Sequence, residues 1–570
     1  MRSAFSQAVR QATRHVNRPT ITRCRASGAR WSSTTTDDDS HKWSTPLARQ
    51  LTEAITVSST PLSNPPLPAD TIQTTGPIPV ASFMRQCLTS DLGGYYTSTT
   101  LSPERDQFGA KGDFVTSPEI SQIFGELIGL WVVAEWIAQG RKAEGVYLME
   151  MGPGRGTLMD DMLRTIRTFP PLARALTAVH LIEASANLRA TQHALLCGAA
   201  NPLIETATGH ESTSKYLPNV RIIWTEDLRS IPRESHQTPF IIAHEFFDAL
   251  PIHVFQSVAP APQPVPDGRT IQTPTGPILA PPPTPQRRLP QGNQWRELLV
   301  SPTAPHRIST SNPEFELTRA RTATPHAMYL PEISPRYQAL KSTDGATIEI
   351  SPESRAYAAE FAVRVAGSGP TTPTPIQPQA STPAPTPRAP KSSQADPAFP
   401  KPGPSGAALI IDYGPPASIP TDSLRGIKAH ARVSPFTSPG TTDVSADVDF
   451  LGLAEAALDA SPSVEVHGPV DQARFLGAMG IEERAAQLVK RALDEERGGG
   501  GGDKGGQEER DRGELTEVVR RIEGGWKRLV DTGPQGMGRL YQVMAIVPFV
   551  PAKKGEVRRR PVGFGGDVKV

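Results

Sequence analysis

The segment Val146-Tyr-Leu-Met-Glu150-Met-Gly152-Pro-Gly154-Arg-Gly156-Thr157 decides the fold of this chain. An apolar run ends in an acid, three glycines follow at alternate positions, and a helix-like pattern starts after them. This order predicts a buried strand, a tight turn and the start of a helix. Because glycine lacks a Cβ atom, the backbone of the turn can lie directly against a ligand. The free N–H groups in the first turn of the helix would face that ligand.

The spacing of the glycines argues against two common nucleotide-binding turns. A P-loop ends in Gly-Lys-Ser/Thr, whereas Gly156 is followed by Thr157 and Leu158. The dinucleotide turn has the spacing G-x-G-x-x-G, and here the third glycine comes one residue too early. An acid directly before G-x-G-x-G is instead typical of S-adenosylmethionine-dependent methyltransferases, in which the acid contacts the cationic amino end of the cofactor. A structural turn without a ligand is the alternative interpretation.

Three further apolar runs end in acids, and together they predict one ligand-binding edge. The runs are Ala178–Ile182 before Glu183, Val220–Trp224 before Asp227, and Phe240–His244 before Glu245. Helix-like stretches follow the glycine turn at Thr157–Thr168 and Glu183 from Ser185 onwards, which favours an open α/β sheet whose ligands bind outside the carboxyl ends of the strands. The acids predicted to lie on that rim are Glu150, Glu183, Asp227 and Glu245. An acid at the end of the second strand can accept hydrogen bonds from ribose hydroxyls.

Composition restricts the class of protein. Proline accounts for 59 of the 570 residues, roughly twice its average usage. A formal net charge of +1 gives no indication of nucleic acid or an anionic membrane as a partner. No apolar run reaches the ~18 residues of a transmembrane helix. The three cysteines are scattered without metal-ligand spacing, so neither a disulfide framework nor a metal site is predicted.

The N-terminal segment has the composition of a targeting sequence. Residues 1–36 contain seven arginines and no acid, and serine, threonine and alanine fill much of the rest. This pattern is typical of a mitochondrial transit peptide and lacks the apolar centre of a secretory signal. A disordered basic tail is the alternative. We therefore predict import into the mitochondrial matrix.

The remaining chain is predicted to form one α/β domain with insertions. Residues 37–78 are polar and dotted with proline, which predicts a disordered linker. The domain is predicted at residues 79–551, beginning with a helix at Val80–Leu88. Low-complexity stretches within it predict disordered insertions at about 258–293, 367–405 and 494–513, and a loose basic tail is predicted at 552–570. Later ordered elements are predicted at Trp295–Val300, Thr347–Ile350, Pro352–Ala366, Ala407–Ile411 and, as the strand closing the sheet, Met537–Val547.

A glycine- and aromatic-rich loop precedes the first long helix. Pro118 fits the first position of that helix, which predicts Ser117 as its N-cap. A loop of this length in a compact domain is usually functional or disordered. Tyr95, Tyr96 and residues 109–126 could form a lid over a ligand, or they could pack the N-terminal segment; the sequence leaves both interpretations open.

Several motifs, in order along roughly residues 80–550, resemble the MidA-like methyltransferases, a group that includes a mitochondrial complex I assembly factor that methylates arginine. Among them Glu245-Phe-Phe-Asp248-Ala-Leu-Pro251 is highly specific. The family usually has Asn in place of His244 and His in place of Pro415, so no role is implied for those two side chains. The other motifs are Gly94-Tyr-Tyr96, Phe108-Gly109 through Gly125-Glu126, Glu150-Met-Gly152-Pro-Gly154-Arg-Gly156-Thr157, Glu183-Ala-Ser185, Asp412-Tyr-Gly414, Asp447-Val-Asp449-Phe450 and Gly468-Pro-Val470.

The resemblance implies a Rossmann-like class I methyltransferase, with a mostly parallel sheet flanked by helices and extra helices at the N-terminus. It implies transfer of a methyl group from S-adenosylmethionine to an arginine in a core subunit of the peripheral arm of complex I. Homodimer formation is left open. The residues predicted to bind the cofactor are Glu150, Gly152, Gly154, Gly156, Thr157, Glu183 and Asp227.

Glu245 and Asp248 are the predicted catalytic residues. Arginine is a poor nucleophile because its guanidinium is cationic, with a pKa above ~12. Carboxylates can hold the guanidinium through bidentate hydrogen bonds and localise a lone pair on one nitrogen. In the alternative interpretation Glu245 contacts the cofactor and Asp248 caps the next helix.

Two other functions remain open. The chain could bind S-adenosylmethionine and act only as a chaperone or scaffold for an assembly intermediate. It could also be a dinucleotide-dependent oxidoreductase, although the short glycine spacing speaks against this.

Overall fold

The computed structural model describes residues 43–56, 76–97, 112–260, 270–279, 292–309, 313–367, 401–499, 507–534, 536–552 and 558–566. The transit peptide predicted at residues 1–36 lies outside the described residues. The helices within these ranges, numbered in chain order, are α1 Pro46–Thr56, α2 Val80–Thr89, α3 Ser117–Ile120, α4 Gln122–Ala138, α5 Thr157–Ile166, α6 Pro170–Ala175, α7 Ala186–Leu196, α8 Pro325–Tyr329, α9 Pro335–Leu340, α10 Pro352–Ala366, α11 Phe450–Ala460, α12 Gln472–Ala478, α13 Ile481–Gly499, α14 Gln507–Leu529 and α15 Met537–Leu540. The strands are β1 Ile78–Pro79, β2 Val146–Met151, β3 Leu176–Ile182, β4 Ile204–Thr206, β5 Gly209–Thr213, β6 Arg221–Thr225, β7 Thr238–His244, β8 His253–Val258, β9 Thr270–Thr273, β10 Gly276–Leu279, β11 Gln294–Pro302, β12 Phe315–Arg319, β13 Thr347–Ile350, β14 Ala407–Tyr413, β15 Arg425–Lys428, β16 Ala431–Val433, β17 Asp443–Ser445, β18 Val464–Asp471 and β19 Tyr541–Pro548.

The central sheet has nine strands in the order β18-β19-β14-β7-β2-β3-β6-β5-β4. Its five middle strands, β14, β7, β2, β3 and β6, are all parallel to their neighbours. Counted along the chain, their spatial order is 3-2-1-4-5, which is the doubly wound arrangement. The expected mostly parallel α/β sheet is therefore confirmed. Strand β19 joins antiparallel to β14, as a closing strand would, but β18 lies outside it and forms that edge.

Both faces of the sheet are covered, which explains the nearly continuous apolar sequence of its central strands. Strands β2 and β7 are buried at every position. One face packs against α4 and α5, where Trp131 and Met162 are fully buried. The opposite face packs against α10 and α11, where Phe361 and Phe450 are fully buried. The result is a three-layer sandwich that holds the strand ends in fixed positions.

The register of the parallel strands aligns their carboxyl ends at one edge. Met151 of β2 lies opposite Ile182 on one side and Ala243 on the other. His244 of β7 lies opposite Ile411 of β14. The chain leaves β2 towards β3, whereas β7 lies on the other side of β2, so the strand order reverses between β2 and β7. Ligands of doubly wound sheets bind in the crevice at this reversal.

A second, antiparallel sheet combines β1, which precedes β2 in the chain, with strands inserted between β7 and β14. It contains β1, β11, β8 and β13 in that order, with β12 also paired to β11. Helices α1 and α2 pack on it and share a core with Phe315 and Val300. The predicted disordered linker at 37–78 is therefore wrong for α1. Its apolar side chains recur at helical spacing and are buried: Leu47, Ala48, Leu51 and Ile55.

Three other expectations of disorder are also wrong in part. The predicted insertion at 494–513 contains the end of α13 and the start of α14, because Ile481, Ala485 and Leu529 of this helix pair are buried against the central sheet. The insertion at 258–293 contains the hairpin of β9 and β10. In the predicted loose tail, Phe564 packs 5.6 Å from the ring of Phe475. Residues 261–269, 280–291, 368–400 and 500–506 of these insertions lie outside the described residues.

The predicted helix after Ser117 is divided. Ser117 is the first residue of α3, and Thr116 rather than Ser117 occupies the N-cap position. At Ser121 the backbone becomes extended, and its hydroxyl accepts a hydrogen bond from the N–H of Ile123 at the start of α4. No helix in the described ranges combines the length and the apolar character needed to cross a bilayer.

Candidate functional site

The glycine turn lies at the reversal of strand order and needs its glycines for two reasons. The φ angles of Gly152, Gly154 and Gly156 are +62°, +53° and +85°, a region that side-chain-bearing residues rarely adopt. A Cβ atom at Gly152 would also lie 3.2 Å from Cδ2 of Phe246, which follows the carboxyl end of β7. The turn after β2 and the turn after β7 are thus in direct contact. Thr157 then begins α5, as predicted.

Gln192 fixes the glycine turn to its neighbours, and sequence reasoning missed it. Its side-chain amide donates one hydrogen bond to the carbonyl of Gly154 at 2.6 Å and one to Glu183 Oε2 at 3.0 Å. Its oxygen accepts a hydrogen bond from the indole N–H of Trp224 at 2.9 Å. Gln192 is fully buried. The only signal in the sequence was a polar residue on the face of α7 that the structure buries. In the structure this side chain fixes the direction of the Gly154 carbonyl.

Glu150 and Glu183 form the acidic wall beside the turn. Glu150 is buried, and its Oε2 has no hydrogen-bond partner among the residues that the structure describes. Burial, and after it the charge of Glu183, raises the pKa of Glu150 to about 8. Glu183 accepts a hydrogen bond from the N–H of Ser185 at 2.7 Å, and burial raises its pKa to about 7. An unsatisfied buried carboxylate is costly, so this wall is suited to a cationic ligand group with N–H or O–H donors.

We expect the unliganded protein to lose stability as the pH rises, and Glu150 to carry part of the loss. Its pKa in the folded state, about 8, lies above its ordinary value of 4.5. The stabilising contribution is therefore fully present below pH 4.5 and is lost as the pH rises through about 8. Glu150→Gln should raise the free energy of unfolding by roughly 4 kcal/mol at pH 8 and by less than about 1 kcal/mol at pH 5. Thermal unfolding across this pH range measures the effect. The exposed Glu144→Gln is the control, and equal profiles for Glu150→Gln and wild type would contradict the expectation.

The turn after β7 is strained at Glu245. Glu245 has φ +49°, an uncommon angle for a residue other than glycine. Its N–H donates to the carbonyl of Ile411 at 3.0 Å. Asp412 Oδ2 accepts hydrogen bonds from the N–H groups of Phe246 and Phe247, at 3.1 and 2.8 Å. The buried carboxylate of Asp412 thus holds the strained turn and directs the side chain of Glu245.

The carboxylate of Glu245 meets a tyrosine pair. The Tyr541 hydroxyl donates to Glu245 Oε1 at 2.6 Å and lies 2.6 Å from the hydroxyl of Tyr413. The imidazole of His244 stacks parallel to the Tyr541 ring with 6.1 Å between ring centroids. Burial raises the pKa of Glu245 to about 8. Sequence reasoning did not assign Tyr541, because it lies on the last strand of the sheet and reaches the site only through pairing with β14.

Further acids surround Glu245. Burial raises the pKa of Asp248 to about 6, while the nearby guanidinium of Arg425 opposes the shift. Asp443 accepts a hydrogen bond from the Tyr96 hydroxyl at 3.0 Å, and burial and then Asp248 raise its pKa to about 7. Turns rather than a helix follow Asp248, with β8 next, so Asp248 caps no helix there. Because neighbouring carboxylates oppose each other's ionisation, this cluster favours binding of a cation.

The remaining predicted residues take different positions. Asp227 lies just beyond β6 at the expected edge, but its carboxylate caps a short 3-10 turn and pairs with Arg229. Tyr95 is fully buried in the N-terminal core and donates to Asp113 at 2.8 Å, which agrees with packing of the N-terminal segment. Residues 98–111, which include the first part of the proposed lid, lie outside the described residues. Glu119 of α3 pairs at 3.1 Å with Arg155 of the glycine turn.

The strand order and the turn contacts define a class of protein. Two features distinguish this fold from a dinucleotide-binding sheet. The antiparallel strand β19 lies beside β14, and the glycine turn has one residue fewer than the dinucleotide spacing. The class is that of the Rossmann-like methyltransferases. The chain belongs to the S-adenosyl-L-methionine-dependent methyltransferase family, whose profile matches residues 127–470.

Similar proteins support this membership. The protein arginine methyltransferase NDUFAF7, mitochondrial, of Xenopus laevis is 42% identical over 189 residues, which are 33% of this chain and 41% of that protein. The human protein of the same name is 42% identical over 191 residues, 32% of this chain and 40% of that protein. The Drosophila melanogaster homolog is 42% identical over 188 residues, 33% of this chain and 40% of that protein. The matched stretch spans about two fifths of each relative.

A solved structure supports the fold over a larger part of the chain. A Burkholderia thailandensis protein crystallised with S-adenosyl-homocysteine superposes with a TM-score of 0.51 and 19% identity, covering 88% of this chain and 94% of that one. The Rossmann-like methyltransferase fold expected from the sequence is thus confirmed.

Proposed function

We propose that this protein transfers a methyl group from S-adenosylmethionine to an arginine of another protein. The observation that carries the proposal is that two groups of acids lie beside two adjoining turns, and we call each group an acidic wall. Glu150 and Glu183 lie beside the glycine turn, and Glu245, Asp248 and Asp443 lie beside the adjoining turn. Contact between Gly152 and Phe246 brings the two walls together.

The glycine-turn wall is proposed to hold the cofactor. The buried Oε2 of Glu150 without a hydrogen-bond partner among the described residues fits a cationic amino group. Glu183 is proposed to accept hydrogen bonds from ribose hydroxyls. Gly152, Gly154 and Gly156 leave the space that side chains would fill, and the N-terminal end of α5 at Thr157 faces the same side. Asp227 remains a proposed peripheral contact. When bound, S-adenosylmethionine supplies an electrophilic methyl group on a sulfonium.

The second wall is proposed to hold and activate the arginine. In this arrangement Glu245 accepts hydrogen bonds from the guanidinium, and Asp248 adds negative charge on the same side. A neighbouring guanidinium lowers the pKa of both carboxyls, which favours their ionised form. The donor from Tyr541 orients Glu245 Oε1, leaving its second oxygen for the substrate. Most of the rate enhancement then comes from positioning two reactants and excluding water.

The word mitochondrial in the names of the relatives, read with the Arg-rich N-terminal segment, extends the proposal to location, and the motif resemblance to the MidA-like methyltransferases extends it to the substrate. We infer that the protein acts in the mitochondrial matrix after removal of residues 1–36. We also infer that its substrate is a core subunit of the peripheral arm of complex I, methylated during assembly. Association into a homodimer would be compatible with both the enzymatic and the scaffold interpretation.

A direct transfer assay tests this proposal. Peripheral-arm complex I isolated from cells that lack this protein would be incubated with the purified full chain and tritiated S-adenosylmethionine. We expect label on an arginine of one subunit, located by mass spectrometry. Binding of S-adenosylmethionine without any transfer would contradict the enzymatic role and favour the scaffold interpretation.

A further inference from the structure

Three side chains that commonly bind metal ions meet in the inserted antiparallel sheet. They come from β8, β11 and α8 and are His253, Glu297 and His326. His253 Nδ1 lies 2.7 Å from Glu297 Oε1, and His326 Nδ1 lies 3.6 Å from Glu297 Oε2. One ligand atom from each residue lies within 4.8 Å of the other two. Four ligand atoms at zinc bond lengths of about 2.1 Å would be ~3.3 Å apart, so small side-chain rotations bring the three atoms around one ion.

The burial of the group explains why a cation would be favourable. The side chain of Glu297 is 1% exposed, that of His253 is 10% exposed and that of His326 is 48% exposed. A buried carboxylate requires a compensating partner, and the partners of Glu297 are the His253 imidazole, the His326 imidazole and the hydroxyl of Thr324. A metal cation between the three side chains would supply the positive charge that a carboxylate with 1% exposure requires.

The surrounding contacts are those of a preformed site. The hydroxyl of Thr324 donates to Glu297 Oε2, which fixes the orientation of the carboxylate. The His253 and His326 rings lie with centroids 4.2 Å apart. At that separation each imidazole can offer one ring-nitrogen lone pair to the same ion. The exposed His326 side gives an ion access from solvent and leaves room for a water ligand.

We propose that His253, Glu297 and His326 bind one Zn²⁺ ion with an N₂O donor set, which fastens α8 to the inserted antiparallel sheet. Two imidazoles and a carboxylate are typical ligands of zinc, and they disfavour Mg²⁺, which prefers oxygen ligands. The site is independent of the methyl-transfer proposal. Sequence spacing could not reveal it, because the three ligands lie on separate elements that only the fold brings together.

Calorimetric titration of the chelator-treated full chain with Zn²⁺ tests the site. We expect one tight site in the wild type. The solvent-exposed position of His326 makes His326→Ala compatible with folding, and this variant should bind Zn²⁺ at least ~100-fold more weakly, since even outer-shell changes cost ~10–100-fold. Thr324→Val should lose ~10-fold in affinity. His306→Ala removes an exposed histidine that follows β11 and should bind as the wild type does.

Two readings would overturn the proposal. Equal Zn²⁺ affinity in the wild type and His326→Ala would show that the metal binds elsewhere. Failure of the wild type to bind Zn²⁺ at micromolar concentration would show that the three residues form only a hydrogen-bonded cluster. Titration of the same variants with S-adenosylmethionine separates this test from the methyl-transfer proposal, because His326→Ala should keep wild-type affinity for that ligand.

Discussion

Glu245→Gln is expected to lower kcat/KM for protein methylation by about 10³-fold, within the range for loss of a catalytic acid–base or orienting carboxylate. Glutamine keeps the shape of the side chain and an oxygen that can accept the hydrogen bond from Tyr541. The turn should therefore remain folded on its support from Asp412. What is lost is the negative charge that binds and orients the guanidinium. Affinity for S-adenosylmethionine, measured by calorimetry, should stay within about threefold of wild type because the cofactor is proposed to contact the other wall.

The pH dependence of the rate supplies a second readout for Glu245. Burial raises its pKa to about 8 in the unliganded protein, and the ionised form is the one proposed to bind arginine. The kcat/KM of the wild type should therefore fall as the pH drops below about 8, and the Gln variant should lose this limb. Tyr541→Phe, which removes the hydrogen bond to Glu245 together with the contact to the Tyr413 hydroxyl, should cost about tenfold. Glu226→Gln, an exposed acid beyond β6, is the matched control. If Glu245→Gln transferred methyl groups at the wild-type rate, the acids would have a structural role and not a catalytic one.

Gly152→Val is expected to weaken the binding of S-adenosylmethionine by at least 100-fold. A β-branched residue at φ +62° is strained by about 1–2 kcal/mol. Its Cβ would also lie 3.2 Å from the ring of Phe246, and the remaining methyl groups would fill the space next to the glycine turn. Backbone strain and occlusion by the side chain should therefore both weaken the binding of the cofactor at the glycine turn. Calorimetric titration of the full chain gives the affinity.

A control variant separates backbone strain from occlusion. Gly198 has φ +73°, and a Cβ there would meet no atom within 4 Å. Gly198→Val should lower the melting temperature through the same kind of strain while leaving S-adenosylmethionine affinity unchanged. If both variants lost affinity equally, general destabilisation rather than the glycine turn would explain the loss. If neither did, the cofactor would bind elsewhere.

Local patterns were sufficient to predict the glycine turn and the acids beside it. The apolar run, the acid and the alternating glycines from Glu150 to Gly156 are contiguous, so their spacing determines the turn without knowledge of the rest of the chain. The acids after β3 and β7 follow from the same reasoning, because parallel strands place their carboxyl ends at one edge. Strand type and order therefore fix Glu183 and Glu245 at that edge.

The supporting residues could not be predicted in this way. Gln192 is an uncharged side chain in the middle of a helix, and its role depends on three partners from separate elements. Tyr541 reaches Glu245 only through the antiparallel pairing of β19 with β14. The wrong prediction of disorder at α1, within the linker at residues 37–78, has a different cause. The helical spacing of Leu47, Leu51 and Ile55 was present in the sequence. There the polar and proline-rich surroundings outweighed a short amphipathic pattern.

The hydrogen bond between Tyr541 and Glu245 joins residues 296 positions apart. Contacts of such long sequence separation form late, because the chain between them must first be ordered or looped out. During synthesis the glycine turn can form well before β19 is available, since chains fold from the N-terminal side as they emerge. A chain that stops before β19 would thus retain the elements proposed to bind the cofactor but lack Tyr541, so the site becomes complete only after the chain has been made as far as β19.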